Sequence, residues 1–374
     1  MDITDNTRAW LAQNMPRTIR AIAALPDLSG VRIAMNMHLD LKMLTLVEGL
    51  AARGAELFVT TCNPTTVRND VAAAMRACGA QVEAYRDMSD AEWHAAIKAG
   101  VEWGPTHLCE MGADYTHYLM TTGATLPSVK AGLEATGSGI NRLQGKLPSW
   151  PIFNWDDVPI KEGLHNRHMV GLTTWQAFFG RTLLSLHEKR VLVVGYGTVG
   201  QGLAASARAY GGQVMVAEID PGRSLQAAYD GWLTGSVAEL APLADVIVTG
   251  TGAHHVIPMT VIETLKDNCF LLNSGHRIDE IDIVGLEARP HEDIIPMVTR
   301  YTLPSGRSVQ LFAGGAMANL TAGEGDSLNA FDVTLALLTE GIGHIVGAGQ
   351  SAAPGVHLLP QHVWERACPP PGES

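Results

Sequence analysis

The first stretch of this chain whose residue types and spacing imply chemistry is Val191-Leu-Val-Val-Gly195-Tyr-Gly197-Thr198-Val199-Gly200-Gln-Gly202. It has the pattern of a buried strand, a glycine-rich turn and the start of a helix. Gly195 permits the tight turn, Gly197 lets a pyrophosphate approach the backbone, and Gly200 lets the helix pack close to the strand. Phosphates would rest on the unpaired N–H groups and positive end of a helix opening at Thr198 and Val199. A bare GxGxxG is a weak signal. Here it follows a strand, opens a helix and precedes a second strand that ends at Glu218. An acid at that point accepts hydrogen bonds from the adenosine ribose hydroxyls and favours NAD over NADP. Arg223, five residues on, could accept a 2′-phosphate, but Glu218 would repel one, so NAD is the cofactor expected. The bland alternative is a Rossmann-like domain that holds no cofactor.

Positioning such a turn requires a parallel sheet, and the hydrophobic pattern supplies two. Short apolar runs alternate with amphipathic helices from early in the chain, as in doubly wound α/β folds. Strands are expected at 31–37, 56–61, 81–85 and 106–110, with helices at 41–53 and 66–78 closed by Gly54 and Gly79. A Pro-, Trp- and Asp-rich texture at 146–157 ends this series, and helical patterning follows at 168–187. A second series places strands at 190–194, 213–217, 246–249 and 269–273. Helix returns at 328–342, followed by an irregular Pro-rich tail. The expected architecture is two doubly wound α/β domains. One spans 1–170 and is completed by 328–374; the other, 171–327, is a Rossmann NAD-binding domain.

Composition agrees and excludes other classes. A chain of 374 residues is long enough for two such cores. A net charge of −12, with no basic cluster, argues against nucleic acid as a partner. The five cysteines are widely spaced and form no CxxC pair, which supports neither a disulfide framework nor a zinc ribbon. No run approaches the ~20 apolar residues of a membrane span, and the N-terminus has no apolar signal region. A cytoplasmic location is expected.

Several motifs in order now carry a family resemblance over most of the chain. Gly195 to Gly202, Glu218-Ile-Asp-Pro, Leu225-Gln-Ala-Ala, Asn273-Ser274-Gly275-His276 with Asp279-Glu-Ile-Asp282, Arg300-Tyr-Thr-Leu with Gly306-Arg, and Asn319-Leu-Thr-Ala-Gly-Glu-Gly resemble the S-adenosylhomocysteine hydrolase family. So do Met37-His38, Cys62-Asn63-Pro64 and Asn69-Asp-Val-Ala-Ala-Ala in the first part. The resemblance implies a tightly held NAD that oxidises a ribose 3′-hydroxyl. The ketone acidifies the neighbouring hydrogen, a 5′-thiol is eliminated, water adds and the cofactor is regenerated. It implies Lys161 and Asn166 beside the 3′-hydroxyl, where a lysine can take the hydroxyl proton once burial and the nearby positive charge favour its neutral amine. It also implies His38 and His276 lining the site. Thr136, Ser138, Thr251, Ser274, Gly275 and Asn319 would lie on the cofactor side. The resemblance further implies a homodimer or homotetramer.

The departures from the family concentrate where the substrate would sit. The Thr and Glu that follow the family's site histidine and hold adenine and ribose are Asp40 and Lys42 here. The second Asp of its Asp-Asp-Gly-Gly motif is Met111, preceded by Glu110, and its second Glu before the threonine run is Ala135. Its Asp between the lysine and asparagine is His165, and its histidine after Gly-Glu-Gly is Asp326. The long family tail is absent. Replacing Glu by Lys reverses the charge facing the base, which costs several kcal/mol in a buried site unless the ligand changes too.

The favoured reading is an NAD-dependent enzyme using the same oxidation-and-elimination logic on a nucleoside-like small molecule other than S-adenosylhomocysteine. His165 would stand in for the missing carboxylate as an acid–base group. The alternatives are an authentic adenosylhomocysteinase with a divergent pocket, a non-catalytic NAD-binding homologue, and a simple dehydrogenase that releases its reduced cofactor. No metal is expected, although His38, Asp40, His165, His168 and Asp326 include ligand types; their spacing is not diagnostic. His254 and His255 read as loop residues.

Overall fold

A computed structural model describes residues 3–145, 148–276 and 278–368; the Pro-Pro-Pro end of the sequence lies outside them. The chain divides into two compact units, Met1–Glu162 with Ser327–Ser374, and Gly163–Asp326.

In the first unit the strands other than the short edge strand Gln81–Glu83 are buried and mostly apolar, as parallel strands covered on both faces must be. The strands are β1 (Arg32–Met37), β2 (Glu56–Thr61), β3 (Gln81–Glu83), β4 (His107–Glu110), β5 (Ala131–Glu134) and β6 (Pro151–Asn154). All pair in parallel in the order β6-β5-β4-β1-β2-β3. The strand order reverses between β1 and β4, and the carboxyl ends there form the crevice where such sheets bind ligands. The helix Leu41–Ala52 follows β1, and Asp40 caps it by accepting from the Lys42 and Met43 amides. The expected helix at 66–78 instead starts at Asn69, because Pro64–Thr66 forms a separate tight turn held by Asn63.

The tail corrects the sequence reading. Gly355–Leu358 is a seventh strand, parallel to β6 at the sheet edge, and Gln361–Trp364 is a short helix. As an edge strand Gly-Val-His-Leu leaves Val356 and Leu358 exposed, so no local hydrophobic alternation announces it. The helix expected at 328–342 continues to Val346. No described helix is long and apolar enough to cross a membrane.

The second unit holds β7 (Arg190–Val194), β8 (Gln213–Ala217), β9 (Leu233–Thr234), β10 (Val246–Thr249), β11 (Cys269–Asn273), β12 (His291–Ile295), β13 (Val298–Thr302) and β14 (Ser308–Phe312). The sheet order is β12-β13-β14-β11-β10-β7-β8-β9, with only the β12-β13-β14 ribbon antiparallel. Its reversal point falls between β7 and β10. The unit starts at Gly163, eight residues before the expected 171, and the reason is close packing. A β-carbon on Gly202 would lie 1.9 Å from the Arg167 carbonyl oxygen, and one on Gly171 2.4 Å from the Gly202 backbone. The segment around Arg167 is therefore part of this unit. That segment belongs to a π-helix, Lys161–Met169, which runs into the α-helix Val170–Thr182. The helical patterning expected at 168–187 thus begins earlier and stops at Thr182. Short π segments joined to α-helices are frequent at functional sites.

Candidate functional site

In the second unit the turn after β7 has the geometry its glycines imply. Gly195 adopts φ +93°, and a β-carbon on Gly200 would sit 1.9 Å from the Gly195 carbonyl oxygen. A β-carbon on Gly197 would meet only the Arg223 guanidinium, at 3.6 Å, so the backbone there is open to a phosphate with a cation beside it. The helix Thr198–Ala209 begins at this turn and presents Thr198, Val199 and Gly200 in its first turn. Tyr196 anchors the turn from behind: its hydroxyl donates to Asp230 at 2.7 Å and accepts from Trp232 Nε1 at 2.6 Å.

Glu218 follows β8. Its carboxylate accepts from the amides of Tyr196 (2.6 Å), Ile219 (2.7 Å) and Asp220 (2.8 Å), which orients it beside the glycine turn. After β10, Thr251 is exposed, and its amide and hydroxyl both donate to Glu280, as does the Gly252 amide. Glu280 is fully buried, and burial raises its pKa. Sequence reasoning missed this residue as a clamp on the β10 loop. After β11, Asn273 Oδ1 accepts from the Gly275 amide at 2.7 Å, and Ser274 Oγ lies 2.8 Å from Thr174 Oγ. These contacts shape the turn that carries His276, which is half-buried. Asn319 is buried near the same strand end, and its Oδ1 has no hydrogen-bond partner among the described residues. A cradle that β-carbons would fill, an acid at the β8 end and an orphaned acceptor suited to a carboxamide N–H all fit NAD.

The π-helix carries Asn166 and His165, both half-buried. His165 Nδ1 lies 2.9 Å from Asp326 Oδ2, and Asp326 Oδ1 accepts from Thr173 Oγ at 3.2 Å.

In the first unit His38 ends β1. Its Nδ1 is 2.8 Å from Thr66 Oγ, a hydroxyl whose own proton goes to the Asn63 carbonyl. Thr66 therefore accepts, Nδ1 carries the imidazole proton, and Nε2 is the basic nitrogen. Cys62 Sγ sits 3.5 Å from the same Nδ1, and burial raises its pKa strongly. Lys42 is 3% exposed. Its Nζ lies 3.1 Å from Asp40 Oδ2 and 5.5 Å from the centre of the Phe331 ring. Lys161, also buried, has Nζ 3.0 Å from Asp156 Oδ1, a partner that sequence reasoning did not assign.

Glu110 is not turned toward a ligand. It sits inside the turn after β4, where its carboxylate accepts from the Tyr115 and Thr116 amides and the Thr116 hydroxyl. Met111 is buried. Glu134, opposite Glu110 on β5, accepts from the Gly112, Ala113 and Thr136 amides and the Thr136 hydroxyl. Thr136 Oγ also lies 3.1 Å from Ser138 Oγ, so both side chains are engaged within this unit. Burial pushes Glu110 up to about 7, and burial with the Glu110 charge pushes Glu134 up to about 8. Burial likewise raises Asp114 to about 6 against the pull of Arg142. Among the described residues no three His, Cys, Asp or Glu side chains gather as a metal site. His254 pairs with Asp279 at 2.5 Å and is exposed.

Two family models match the chain: S-adenosyl-L-homocysteine hydrolase over residues 12–138, and the NAD binding domain of S-adenosyl-L-homocysteine hydrolase over 180–325. Among curated relatives, S-inosyl-L-homocysteine hydrolase of Methanopyrus kandleri is 34% identical, the match covering 91% of this chain and 82% of that protein. Adenosylhomocysteinase of Pyrobaculum aerophilum is also 34% identical, covering 87% and 82%. Adenosylhomocysteinase of Thermotoga maritima is 31% identical, covering 96% and 91%.

Proposed function

The chain belongs to the S-adenosyl-L-homocysteine hydrolase family, and from that premise we propose that it hydrolyses a nucleoside thioether of homocysteine whose base is a 6-oxopurine instead of adenine. The observation that carries the reading is the buried Asp40–Lys42 pair. The resemblance puts these two residues where the family holds adenine and its ribose. An ammonium is a donor only, and so is the amino group of adenine, so the two leave each other without an acceptor. A base with a carbonyl at that position accepts from Lys42. Relatives whose names specify an inosyl and an adenosyl substrate are equally similar to this chain, so overall identity does not choose between them, and Lys42 is what supports the 6-oxopurine.

The other side chains take roles around that substrate. Lys161, whose Nζ lies 3.0 Å from Asp156 Oδ1, is the residue we assign to the proton of the sugar 3′-hydroxyl, a role the family resemblance supports. Glu218 accepts from the adenosine ribose of the cofactor, and Asn319 Oδ1 accepts from its carboxamide. Bound NAD supplies the two-electron acceptor for the 3′-carbon and returns the electrons at the end of the cycle.

The test offers NAD-loaded protein the S-inosyl and S-adenosyl compounds and follows thiol release. Discrimination through one polar group on a base reaches ~10²–10⁴, so kcat/KM should favour the inosyl compound at least ~100-fold. The double change Asp40→Thr with Lys42→Glu, which restores the family pattern at both positions together, should narrow or reverse that ratio. Faster release from the adenosyl compound by the wild-type protein would sink the reading. Failure of either compound to change nicotinamide absorbance would favour a homologue that only binds NAD.

A further inference from the structure

We propose that His165 and Asp326 form the acid–base pair of the elimination half of this reaction, with His165 transferring the proton and Asp326 acting as the positioning residue behind it. The inference deepens the function proposed above and rests on its nucleoside chemistry.

Three features of the second unit carry it. First, the imidazole Nδ1 lies 2.9 Å from a carboxylate oxygen of Asp326, whose side chain is 3% exposed while that of His165 is 16% exposed. A carboxylate this close to Nδ1 stabilises the imidazolium once it forms, and a proton on Nδ1 turned toward it leaves Nε2 as the basic nitrogen. Second, Asp326 is itself fixed by the Thr173 hydroxyl at 3.2 Å. The next residue on that helix, Thr174, contacts Ser274 at 2.8 Å. The pair is thereby tied to the turn at the carboxyl end of β11, where a Rossmann sheet presents its cofactor. Third, His165 precedes Asn166 on the π-helix that begins at Lys161. The family resemblance places an Asp at position 165 and a His at position 326, and this chain holds the same two groups exchanged.

The chemistry balances as follows. After oxidation at the 3′-carbon, Nε2 of His165 takes the proton from the adjacent 4′-carbon. The C–H electron pair becomes the C4′–C5′ double bond, the C5′–S bond breaks, and homocysteine leaves as a thiolate. Water then adds at C5′ and its proton ends on the thiolate, while the imidazolium returns its proton to C4′.

The experiment uses the NAD-loaded protein and the variants His165→Asn, Asp326→Asn and Asp326→Glu. Imidazole ¹⁵N resonances, with the His165 signal identified by its loss in His165→Asn, should show its titration midpoint falling about one pH unit or more in Asp326→Asn. That readout needs no substrate. With whichever thioether the wild type accepts, His165→Asn should still reduce bound NAD yet release thiol at least ~100-fold more slowly. Asp326→Asn should move the acid limb of the rate profile down by the same interval seen by resonance, and Asp326→Glu should recover most of the rate. An unmoved His165 midpoint in Asp326→Asn, or thiol release at the wild-type rate in His165→Asn, overturns the pair. A wild type that prefers the adenosyl compound overturns only the choice of base, and the pair is then read out on that compound.

Discussion

The carboxyl ends of the two parallel sheets are equivalent places in equivalent topologies, yet the chain furnishes them with opposite materials. In the Rossmann unit the crevice is built from backbone: the Gly195 turn, the open face of Gly197, the amides that hold Glu218, and the Ser274–Gly275 turn set by Asn273. In the other unit it is furnished with buried charged pairs, Asp40 with Lys42 and Asp156 with Lys161. Backbone recognition depends on shape and permits little change, so the cofactor site keeps its sequence signature. Side-chain recognition can be rewritten, but a buried charge cannot be exchanged alone. Removing one partner of a buried pair costs about 3–5 kcal/mol. A lysine at 42 therefore requires an acid within reach, and position 40 supplies it. The two departures from the family pattern are physically one.

The contrast can be broken first at its rigid side. Gly200→Ala places a methyl 1.9 Å from the Gly195 carbonyl oxygen, which no rotamer relieves. NAD affinity, read by calorimetry, should drop at least ~1,000-fold; a drop of under tenfold would show that the turn is not shaped by backbone contact. On the charged side, Asp40→Ala removes both the helix cap and the counter-charge of Lys42. Loss of the cap costs about 1 kcal/mol and the stranded charge about 3–5. Denaturant unfolding of the first unit should show a loss of about 4 kcal/mol. Adding Lys42→Met should restore most of it, and simple additivity of the two changes would refute the coupling.

The smallest effect sharpens the comparison through pH. Burial raises Glu110 to about 7 and Glu134 to about 8, from 4.5 when unfolded. The folded chain therefore holds protons that the unfolded chain has released. Their stabilising contribution is complete below about pH 4.5 and is lost as pH rises through about 8, at about 1.4 kcal/mol per pH unit for each proton. Glu110→Gln retains an oxygen for the Tyr115 and Thr116 amides and removes one titrating group. Unfolding free energies between pH 6 and 8.5 should then fall with no more than half the wild-type slope. Equal slopes would mean that this carboxylate pair does not share protons.

Legibility followed the same division. Strands 190–194, 213–217, 246–249 and 269–273 agree residue for residue with β7, β8, β10 and β11, because continuous apolar runs bounded by polar turns leave little alternative. β5, β6 and the β12–β14 ribbon were not read. Ala131–Glu134 carries a single large apolar residue, Pro151–Asn154 opens on a proline within a Pro- and Trp-rich stretch, and the exposed β12 shows no apolar face. Glu218 was legible because its position is fixed by counting from the glycines. Glu110 was not: its type suits a substrate contact, and only the fold shows its carboxylate turned into the Tyr115–Thr116 amides. Glu280 and Asp156 gave no signal, since each acts on a partner through geometry that no motif encodes.

By itself, then, the sequence determined the α/β class and the glycine turn with its acid, both of which rest on local periodicity or fixed short spacing; the departures at positions 40, 42, 165 and 326 came from the family resemblance. Only the tertiary structure decided that Lys42 meets Asp40, that the 163–170 segment packs into the cofactor unit through Gly202, and that His165 meets Asp326 across 161 positions of chain. A contact between residues far apart in sequence is set by how sheets and helices pack, and no local pattern of residue types carries that information.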